Sequence, residues 1–275
     1  MDRVPLDGVE LECHVQGNGE PAVFIHPGIF ADWFTPLLGM PALARRYRLV
    51  QYHRVNCAGS SHIPGPVSFA QHAIHCRSLM RTLGIDRAHV IGHSSSANIA
   101  LQLALDAPGA VHSLALLEPA LMSVPSVVRS RVFVGTAFEL FRGGNKAGAV
   151  DTFLRGTCGP DYRAVLDRVL PGSFDRCVAD ADTFFSMEFP ALQQWSFGRD
   201  DAARIVQPVL AVIGERSREL DPIWSERHQV LLDWLPNVEP FVLPNATHLL
   251  EVENPGGLAD GLAAFWARHP IGVSV

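Results

Sequence analysis

A serine, a histidine and several carboxylates in this chain lie at the ends of predicted strands, where side chains used in nucleophilic catalysis are expected. Ser94 lies in the stretch Val-Ile-Gly-His-Ser-Ser-Ser-Ala, in which an apolar strand runs directly into a helix. This is the pattern of a nucleophile elbow, G-x-S-x-G, with the last glycine replaced by Ser96. The sharp turn needs small residues two positions away on each side, and Gly92 and Ser96 are both small. We therefore predict that Ser94 is a nucleophile.

Two further motifs supply groups that a serine nucleophile needs. An early strand is followed by His-Pro-Gly, a tight loop that offers the N–H of Gly28 to an oxyanion. The other predicted oxyanion-hole donor is the N–H of Ser95, at the start of a helix whose dipole favours an anion. His248 follows the last predicted strand, and a chain order with serine first and histidine last is the one found after a nucleophile elbow in hydrolases. We predict that His248 is the general base.

These motifs make the sequence similar to the α/β-hydrolase superfamily over essentially its whole length. The matching stretches are residues 26–28, 92–96, 209–215 and 243–255. The resemblance implies a mostly parallel, twisted sheet with helices on both faces and a helical lid inserted after the sixth strand. It implies a serine hydrolase that forms an acyl-enzyme, a mechanism that calls for no metal and no organic cofactor.

The acid of the expected catalytic triad departs from the family pattern. Most members carry an aspartate shortly after the seventh strand, where this chain has Ser217. Glu118, at the tip of the sixth strand, can reach the same imidazole because the ends of parallel strands converge on one rim. A buried carboxylate there also needs a partner. We favour Glu118, whose placement is similar to that of the triad acid in the zearalenone lactone hydrolases of this superfamily. Asp221 is the alternative acid, and Glu215 and Glu219 are further carboxylates in reach.

The expected substrate follows from the predicted lid and the loops around the site. A second departure from the family pattern lies in residues 52–60, which match the D-x-R-G-x-G-x-S stretch of the family only in part. That loop shapes the site without performing the chemistry, so the departure affects the choice of substrate more than the reaction. Large apolar side chains in the lid are expected to line a hydrophobic pocket or to pack the lid helices. The pocket residues that we predict are Ile29, Phe189 and Trp195. We expect a medium-sized, apolar, uncharged ester or lactone.

The elements that must position these residues follow from the hydrophobic pattern. Apolar runs alternate with helical patterns, which is typical of a parallel sheet wrapped by helices. Residues 9–15 and 22–25 flank a glycine-containing turn and are predicted to form an antiparallel hairpin. The other predicted strands are 49–52, 88–91, 113–117, 209–213 and 238–243, and the predicted helices are 68–83, 95–106, 224–235 and 257–268. The alternation stops between them, so we predict a core domain over 1–119 and 206–275 and a helical lid over 120–205.

Composition excludes several classes of function. The 275 residues are 48% hydrophobic and 18% charged, which is too apolar for a disordered chain. The 22 Lys and Arg residues against 28 Asp and Glu do not support a surface that binds nucleic acid. Five scattered cysteines without a C-x-x-C motif argue against a disulfide framework and a zinc ribbon, and His72 and His75 lack a third metal ligand. No apolar run approaches the ~18 residues of a membrane span, and the first residues do not resemble a secretion signal, so we expect a cytoplasmic protein.

Three functional hypotheses fit these observations. An ester or lactone hydrolase acting on a small molecule is favoured by the motifs around Ser94 and His248. A carbon–carbon bond hydrolase or a cofactor-free perhydrolase would use the same triad. A non-catalytic receptor or scaffold would have the same fold, although the presence of both the serine and the histidine argues against it. The sequence leaves the natural substrate and the oligomeric state open.

Overall fold

The fold is built on an eight-stranded sheet in the computed structural model, which describes residues 1–272. The strands are β1 (Asp2–Leu6), β2 (Val9–Gln16), β3 (Glu20–Ile25), β4 (Tyr47–Tyr52), β5 (Ala88–His93), β6 (Val111–Leu117), β7 (Val209–Gly214) and β8 (Val238–Leu243). Their order across the sheet is β1-β2-β4-β3-β5-β6-β7-β8. Strands β3 to β8 run parallel to one another, whereas β2 pairs antiparallel with both β4 and β1. The predicted mostly parallel α/β sheet is confirmed.

The predicted hairpin between residues 9–15 and 22–25 is wrong. Strands β2 and β3 both pair with β4, β2 antiparallel and β3 parallel, so β4 lies between them. The turn that joins β2 to β3 passes tightly against the start of β4, since a Cβ on Gly17 would lie 2.3 Å from the carbonyl oxygen of Tyr47. The last four residues of β3 are fully buried, and such an apolar strand is stabilised by parallel neighbours on both edges. Strand β1, which the sequence did not predict, forms the hairpin with β2 instead.

Helices cover both faces of the sheet. In chain order they are α1 (Thr35–Leu38), α2 (Pro41–Ala44), α3 (Phe69–Thr82), α4 (Ser95–Asp106), α5 (Val127–Arg142), α6 (Lys146–Cys158), α7 (Tyr162–Val169), α8 (Ser173–Ala179), α9 (Ala181–Thr183), α10 (Phe189–Gln194), α11 (Arg199–Ala203), α12 (Ser217–Leu220), α13 (Pro222–Trp234), α14 (Leu250–Glu253) and α15 (Pro255–Arg268). A 3-10 turn covers Pro108–Ala110 and a π-helical turn covers Phe184–Glu188. None of the helices within residues 1–272 is long and apolar enough to cross a membrane.

The predicted helix boundaries near the site agree with local capping. Ser68 caps α3 by accepting a hydrogen bond of 3.1 Å from the Gln71 N–H, and Gly84 follows the helix with φ of +69°. Helix α4 begins and ends at the predicted residues. Its small alanines, Ala97, Ala100 and Ala104, are buried against the sheet. The helix that carries the expected oxyanion donor is therefore held at a defined place above β5.

Helices α5 to α11 lie between β6 and β7, and we call residues 120–205 the insert. The insert has its own hydrophobic cluster, to which Phe184, Phe185 and Phe189 belong. The same cluster includes Ile29 and Trp33, which lie in the loop after β3. The insert therefore packs directly on the loop that the sequence assigns to the oxyanion hole.

Candidate active site

Ser94 lies at a strained turn between β5 and α4. Its φ of +54° and ψ of −123° fall outside the regions that non-glycine residues favour. The neighbour two residues earlier has to be glycine, because a Cβ on Gly92 would lie 2.4 Å from the Ser96 carbonyl oxygen and 2.6 Å from the Ala97 Cα atom. Ser94 itself remains partly exposed and lines a cavity. This geometry is that of a nucleophile elbow.

Ser96 occupies the position where the elbow pattern has its second glycine. Its Oγ accepts a hydrogen bond of 2.9 Å from the His93 N–H and lies 2.5 Å from the Ile25 carbonyl oxygen, to which it donates. The side chain thus links the ends of β3 and β5 below the turn. The departure from glycine is explained by this pair of contacts.

His248 and Glu118 meet at the same rim of the sheet. The Nδ1 atom of His248 lies 2.6 Å from Oε2 of Glu118, and both side chains are buried. The second carboxylate oxygen, Oε1, accepts the Gly214 N–H at 2.8 Å. Both carboxylate oxygens therefore have partners, and the hydrogen bond at Nδ1 leaves the other nitrogen, Nε2, free of this carboxylate. Ser94 and His248 line one cavity without a hydrogen bond between them among the described residues.

The protonation states follow from burial and from this contact. Burial raises the pKa of Glu118, but the hydrogen bond and charge of His248 and the Gly214 N–H outweigh it, so the pKa lies below its usual value. Burial lowers the pKa of His248 to about 4, and the neighbouring His93 adds to that shift, against the opposing effect of Glu118. At neutral pH the pair is thus a neutral imidazole beside an ionised carboxylate.

Two of the alternative carboxylates bind groups other than His248. Asp221 also lines the cavity, but its carboxylate caps α13 by accepting the Ile223 N–H at 2.9 Å and accepts from Nε of Arg129 at 3.2 Å. Glu215 accepts the Asn245 N–H at 2.9 Å. The structure places Glu118 against His248 and places neither of these two carboxylates there.

The two expected oxyanion donors are close together but differ in availability. The N–H of Ser95 belongs to the first turn of α4, where N–H groups have no partner within the helix. The N–H of Gly28 instead donates to Oγ of Ser95 at 3.0 Å. Gly28 also faces the insert, since a Cβ there would lie 2.7 Å from the ring of Phe184. Of these two N–H groups, the one of Ser95 has no hydrogen-bond acceptor among the described residues, whereas the one of Gly28 has one.

A cavity with a volume of about 950 Å³, including its opening, contains these groups. Ser94 and His248 face mostly apolar walls, and two of the three predicted pocket residues, Ile29 and Phe189, belong to those walls. The prediction that Trp195 lines this cavity is wrong. Its indole N–H donates to Gln102 at 2.8 Å and its ring packs between Phe69 and Phe197, because the chain leaves α10 toward the core at this point.

Comparison with known proteins identifies the family. A family model for the α/β hydrolase fold matches residues 21–157. A thermophilic esterase from Thermogutta terrifontis has the same fold, with a TM-score of 0.83 over 98% of this chain and 100% of that chain at 16% identity. The chain is an α/β-hydrolase.

Curated relatives of this hydrolase differ in how much of the chain they match. The dihydrolipoyllysine-residue acetyltransferase component of the acetoin cleaving system of Cupriavidus necator is 36% identical over 115 residues, which is 42% of this chain and 30% of that protein. The chain therefore spans about a third of that relative's length. The 2-hydroxymuconate semialdehyde hydrolase of Pseudomonas sp. (strain CF600) is 25% identical over 95% of this chain and 92% of that protein.

Several residues of the hydrolase site were missed by sequence reasoning. Trp224 stacks on the His248 ring with centroids 4.1 Å apart, and Arg227, one turn further along α13, lines the cavity. His93 also packs against His248, with ring centroids 4.5 Å apart, and its Nδ1 is 3.0 Å from the buried carboxylate of Glu251. The sequence could have indicated Trp224 and Arg227, because both lie in the first half of α13, which follows β7 at the rim of the sheet.

A buried ion pair joins the insert of the hydrolase to its oxyanion loop. Glu188 accepts from Arg54 and from Oγ of Ser95, each at 2.8 Å. Arg54 is the arginine of the degenerate D-x-R-G-x-G-x-S stretch, and it also donates to the carbonyl oxygens of His26 and Pro27. Within residues 1–272 no group of three or more His, Cys, Asp or Glu side chains is placed to hold a metal ion.

Proposed function

We propose that this protein is a serine hydrolase that cleaves an ester or lactone bond through an acyl-enzyme. The observation that carries the proposal is the contact of 2.6 Å between Glu118 and His248, which lines the same cavity as Ser94 at its strained turn. A serine, a base and a carboxylate that orients the base are the three groups of nucleophilic acyl transfer.

The reaction has two steps. His248 takes the proton from Oγ of Ser94, which attacks the carbonyl carbon, and the imidazolium then protonates the leaving alcohol. His248 next takes a proton from water, which attacks the acyl-enzyme, and returns it to Ser94. Glu118 holds the imidazole by Nδ1 and stabilises the imidazolium in both steps. No metal and no organic cofactor takes part in this mechanism.

The oxyanion is stabilised by N–H groups at the start of α4 and in the loop after β3. The Ser95 N–H is one donor. The Gly28 N–H is the second donor, and it reaches the oxyanion by leaving Oγ of Ser95, to which it donates in this structure. Each lost donor in such a site lowers kcat by about 10²- to 10³-fold.

The insert, residues 120–205, acts as a lid on the cavity. Its side chains Phe184 and Phe189 face Ile29 across the apolar walls near Ser94. The mostly apolar lining fits a substrate with an apolar body. We therefore assign the substrate to the esters or lactones of small apolar molecules.

The proposal is tested with a fluorophosphonate probe and a panel of p-nitrophenyl esters and lactones. Wild-type protein should form a covalent adduct at Ser94, identified by mass spectrometry, and should hydrolyse members of the panel. Ser94→Ala should abolish both, and Ser96→Ala is the control because Ser96 faces the sheet ends instead of the cavity. If the wild-type protein neither reacts with the probe nor hydrolyses the panel, the proposal is contradicted and the receptor or scaffold hypothesis is favoured.

A second candidate is a hydrolase that uses the same triad on a different bond. A relative that matches over 95% of this chain is a 2-hydroxymuconate semialdehyde hydrolase, which favours a carbon–carbon bond hydrolase over a perhydrolase as the alternative. The fluorophosphonate probe labels Ser94 under either function. Turnover of an unsaturated semialdehyde in the absence of ester or lactone turnover would select the second candidate.

A further inference from the structure

Arg227 places a buried cation in the wall of the cavity that holds Ser94 and His248. The residue is 8% exposed, and its Nε donates to the Leu121 carbonyl oxygen at 2.9 Å. Within residues 1–272 that is the one hydrogen bond that the side chain makes. The N–H groups on its two Nη atoms therefore have no acceptor among these residues. A buried guanidinium is normally paired, because burying an unpaired charge is costly.

The carboxylates near Arg227 are already engaged by other groups. Glu118 accepts from His248 and the Gly214 N–H. Glu226 accepts from the N–H and Oγ of Ser126. Asp221 accepts from Ile223 and Arg129. Among the described residues none of these carboxylates approaches Arg227 within the 4.0 Å of an ion pair, so the guanidinium has no anionic partner in the described chain.

Arg227 also lies close to the reacting groups. Its guanidinium carbon is 5.3 Å from the centroid of the Trp224 ring, and that ring stacks on His248 with centroids 4.1 Å apart. The Trp224 ring therefore lies between the Arg227 guanidinium and the His248 imidazole. Because Arg227, Ser94 and His248 line the same cavity, one bound molecule can contact all three.

Burial acts against the charge on Arg227. It lowers the pKa of Arg227 to about 10, although Glu118, Asp221 and Glu226 partly oppose that shift. The side chain still has its charge at neutral pH, so an anion that enters the cavity gains a strong partner. A guanidinium binds a carboxylate through two parallel N–H···O bonds, which the two free Nη groups allow.

We propose that Arg227 binds a carboxylate on the substrate, so that the substrate is an ester or lactone with an apolar body and one carboxylate. A carboxylate is favoured over a phosphate because one guanidinium in an apolar cavity balances a single negative charge. The inference rests on the proposed function and adds a charge to the uncharged substrate that the sequence suggested. The competing role for Arg227 is a purely structural one, in which it ties α13 to the loop at Leu121.

The test compares pairs of esters that differ in one charge. Mono-p-nitrophenyl esters of dicarboxylic acids with four to eight carbons carry one free carboxylate. Each is assayed beside the neutral diester in which that carboxylate is converted to a methyl ester. At the best chain length the wild-type kcat/KM should be about 10- to 100-fold higher for the free acid, as expected for a hydrogen bond to a charged group. Arg227→Met should reduce that ratio at least about tenfold, and Arg227→Lys should retain part of it. Arg131→Met is the matched control, because it removes the same charge from an exposed position on α5.

The outcomes separate the inference from the proposed function. Equal kcat/KM for the acid and its methyl ester in the wild type, or an equal loss for both substrates in Arg227→Met, would overturn the anion site while leaving the serine hydrolase intact. An equal fall of the ratio in Arg131→Met would do the same. If Arg227→Met does not fold, inhibition of the wild type by 4-phenylbutyrate is compared with inhibition by its amide, and the inference requires the acid to bind at least about tenfold more tightly. Absence of any ester turnover with an unlabelled Ser94 would instead contradict the proposed function.

Discussion

Glu118 approaches His248 from the sixth strand, with its backbone turned sharply at the strand end. Its φ of +42° is a left-handed conformation that non-glycine residues rarely adopt. Such strain persists where the surroundings hold a residue in place. Here the Gly214 N–H binds one carboxylate oxygen and His248 binds the other. A carboxylate held at both oxygens orients an imidazole well, which makes its role testable by a single substitution.

Glu118→Gln should lower kcat by about 10³- to 10⁴-fold, because a neutral amide does not stabilise the imidazolium and favours the wrong tautomer. Asp221→Asn is the matched control, since Asp221 lines the same cavity but is bound by Ile223 and Arg129. We expect it to change kcat by less than about threefold. Steady-state kinetics on one ester checks both variants. A large loss in Asp221→Asn with near wild-type activity in Glu118→Gln would transfer the role to Asp221.

The acid side of the pH profile should report the environment of His248. Its general-base form is the neutral imidazole, and burial lowers its pKa to about 4, so that form persists as the pH falls. We expect kcat/KM for a neutral ester to stay nearly constant from pH 8 to about pH 5 and to decline below that. An unperturbed histidine would halve the rate near pH 6.5. A midpoint at that pH, with the fold intact by circular dichroism, would contradict the predicted environment of His248.

At the scale of elements, the elbow shows why a strand and a helix can meet at so sharp a turn. Gly92 lets the first turn of α4 approach β5, and Ser96 ties the ends of β3 and β5 through its hydroxyl. The two small residues are therefore not equivalent. The first provides space for backbone atoms, and the second provides hydrogen bonds to them.

Gly92→Ala should destabilise the protein by about 3 kcal/mol, because the new Cβ would meet backbone atoms of Ser96 and Ala97 that have no room to move. Gly135→Ala is the control, since Gly135 lies exposed within α5 with nothing within 4 Å of the added Cβ. That change should stabilise the helix by about 1 kcal/mol. Urea denaturation measures both free energies of unfolding. Equal effects of the two substitutions would show that the close approach at Gly92 is relieved easily.

At the scale of the whole molecule, the insert and the sheet are joined by one buried ion pair as well as by apolar packing. Glu188 belongs to the insert and Arg54 to the loop after β4, and their side chains are 3% and 1% exposed. Glu188 also accepts from Ser95, so the same carboxylate contacts the residue that offers an oxyanion N–H. Glu188 therefore links the insert to the residues around the predicted oxyanion hole.

Glu188→Ala should destabilise the protein by about 3 to 5 kcal/mol, because it leaves the Arg54 guanidinium buried and unpaired. The control is Lys146→Ala, which breaks an ion pair of 2.6 Å between Lys146 and Asp182 whose side chains are 42% and 61% exposed. A surface pair of that kind contributes less than about 1 kcal/mol. Denaturation curves for the two variants give the comparison. A small effect of Glu188→Ala would mean that water reaches Arg54 and that this ion pair contributes little to the stability of the protein.

The sequence by itself determined the parallel sheet, the helix α4 behind Ser94 and the loop position of His248. These features depend on residues close together in the chain, such as apolar runs, small residues at a turn and helix caps. The ranking of Glu118 above Asp221 also came from the sequence, because the ends of parallel strands share one rim. The roles of these residues remain predictions until the variants are measured.

Only the tertiary structure decided the contacts between distant parts of the chain. It replaced the predicted hairpin by β4 between β2 and β3, and it moved Trp195 from the cavity to the core. It also brought Arg227 into the cavity wall and engaged the Gly28 N–H with Ser95. Local patterns predict whether a residue is buried, but the partner of a buried charge or N–H depends on which elements pack together. Hydrogen bonding and charge pairing in the folded state therefore decide which distant residues come into contact.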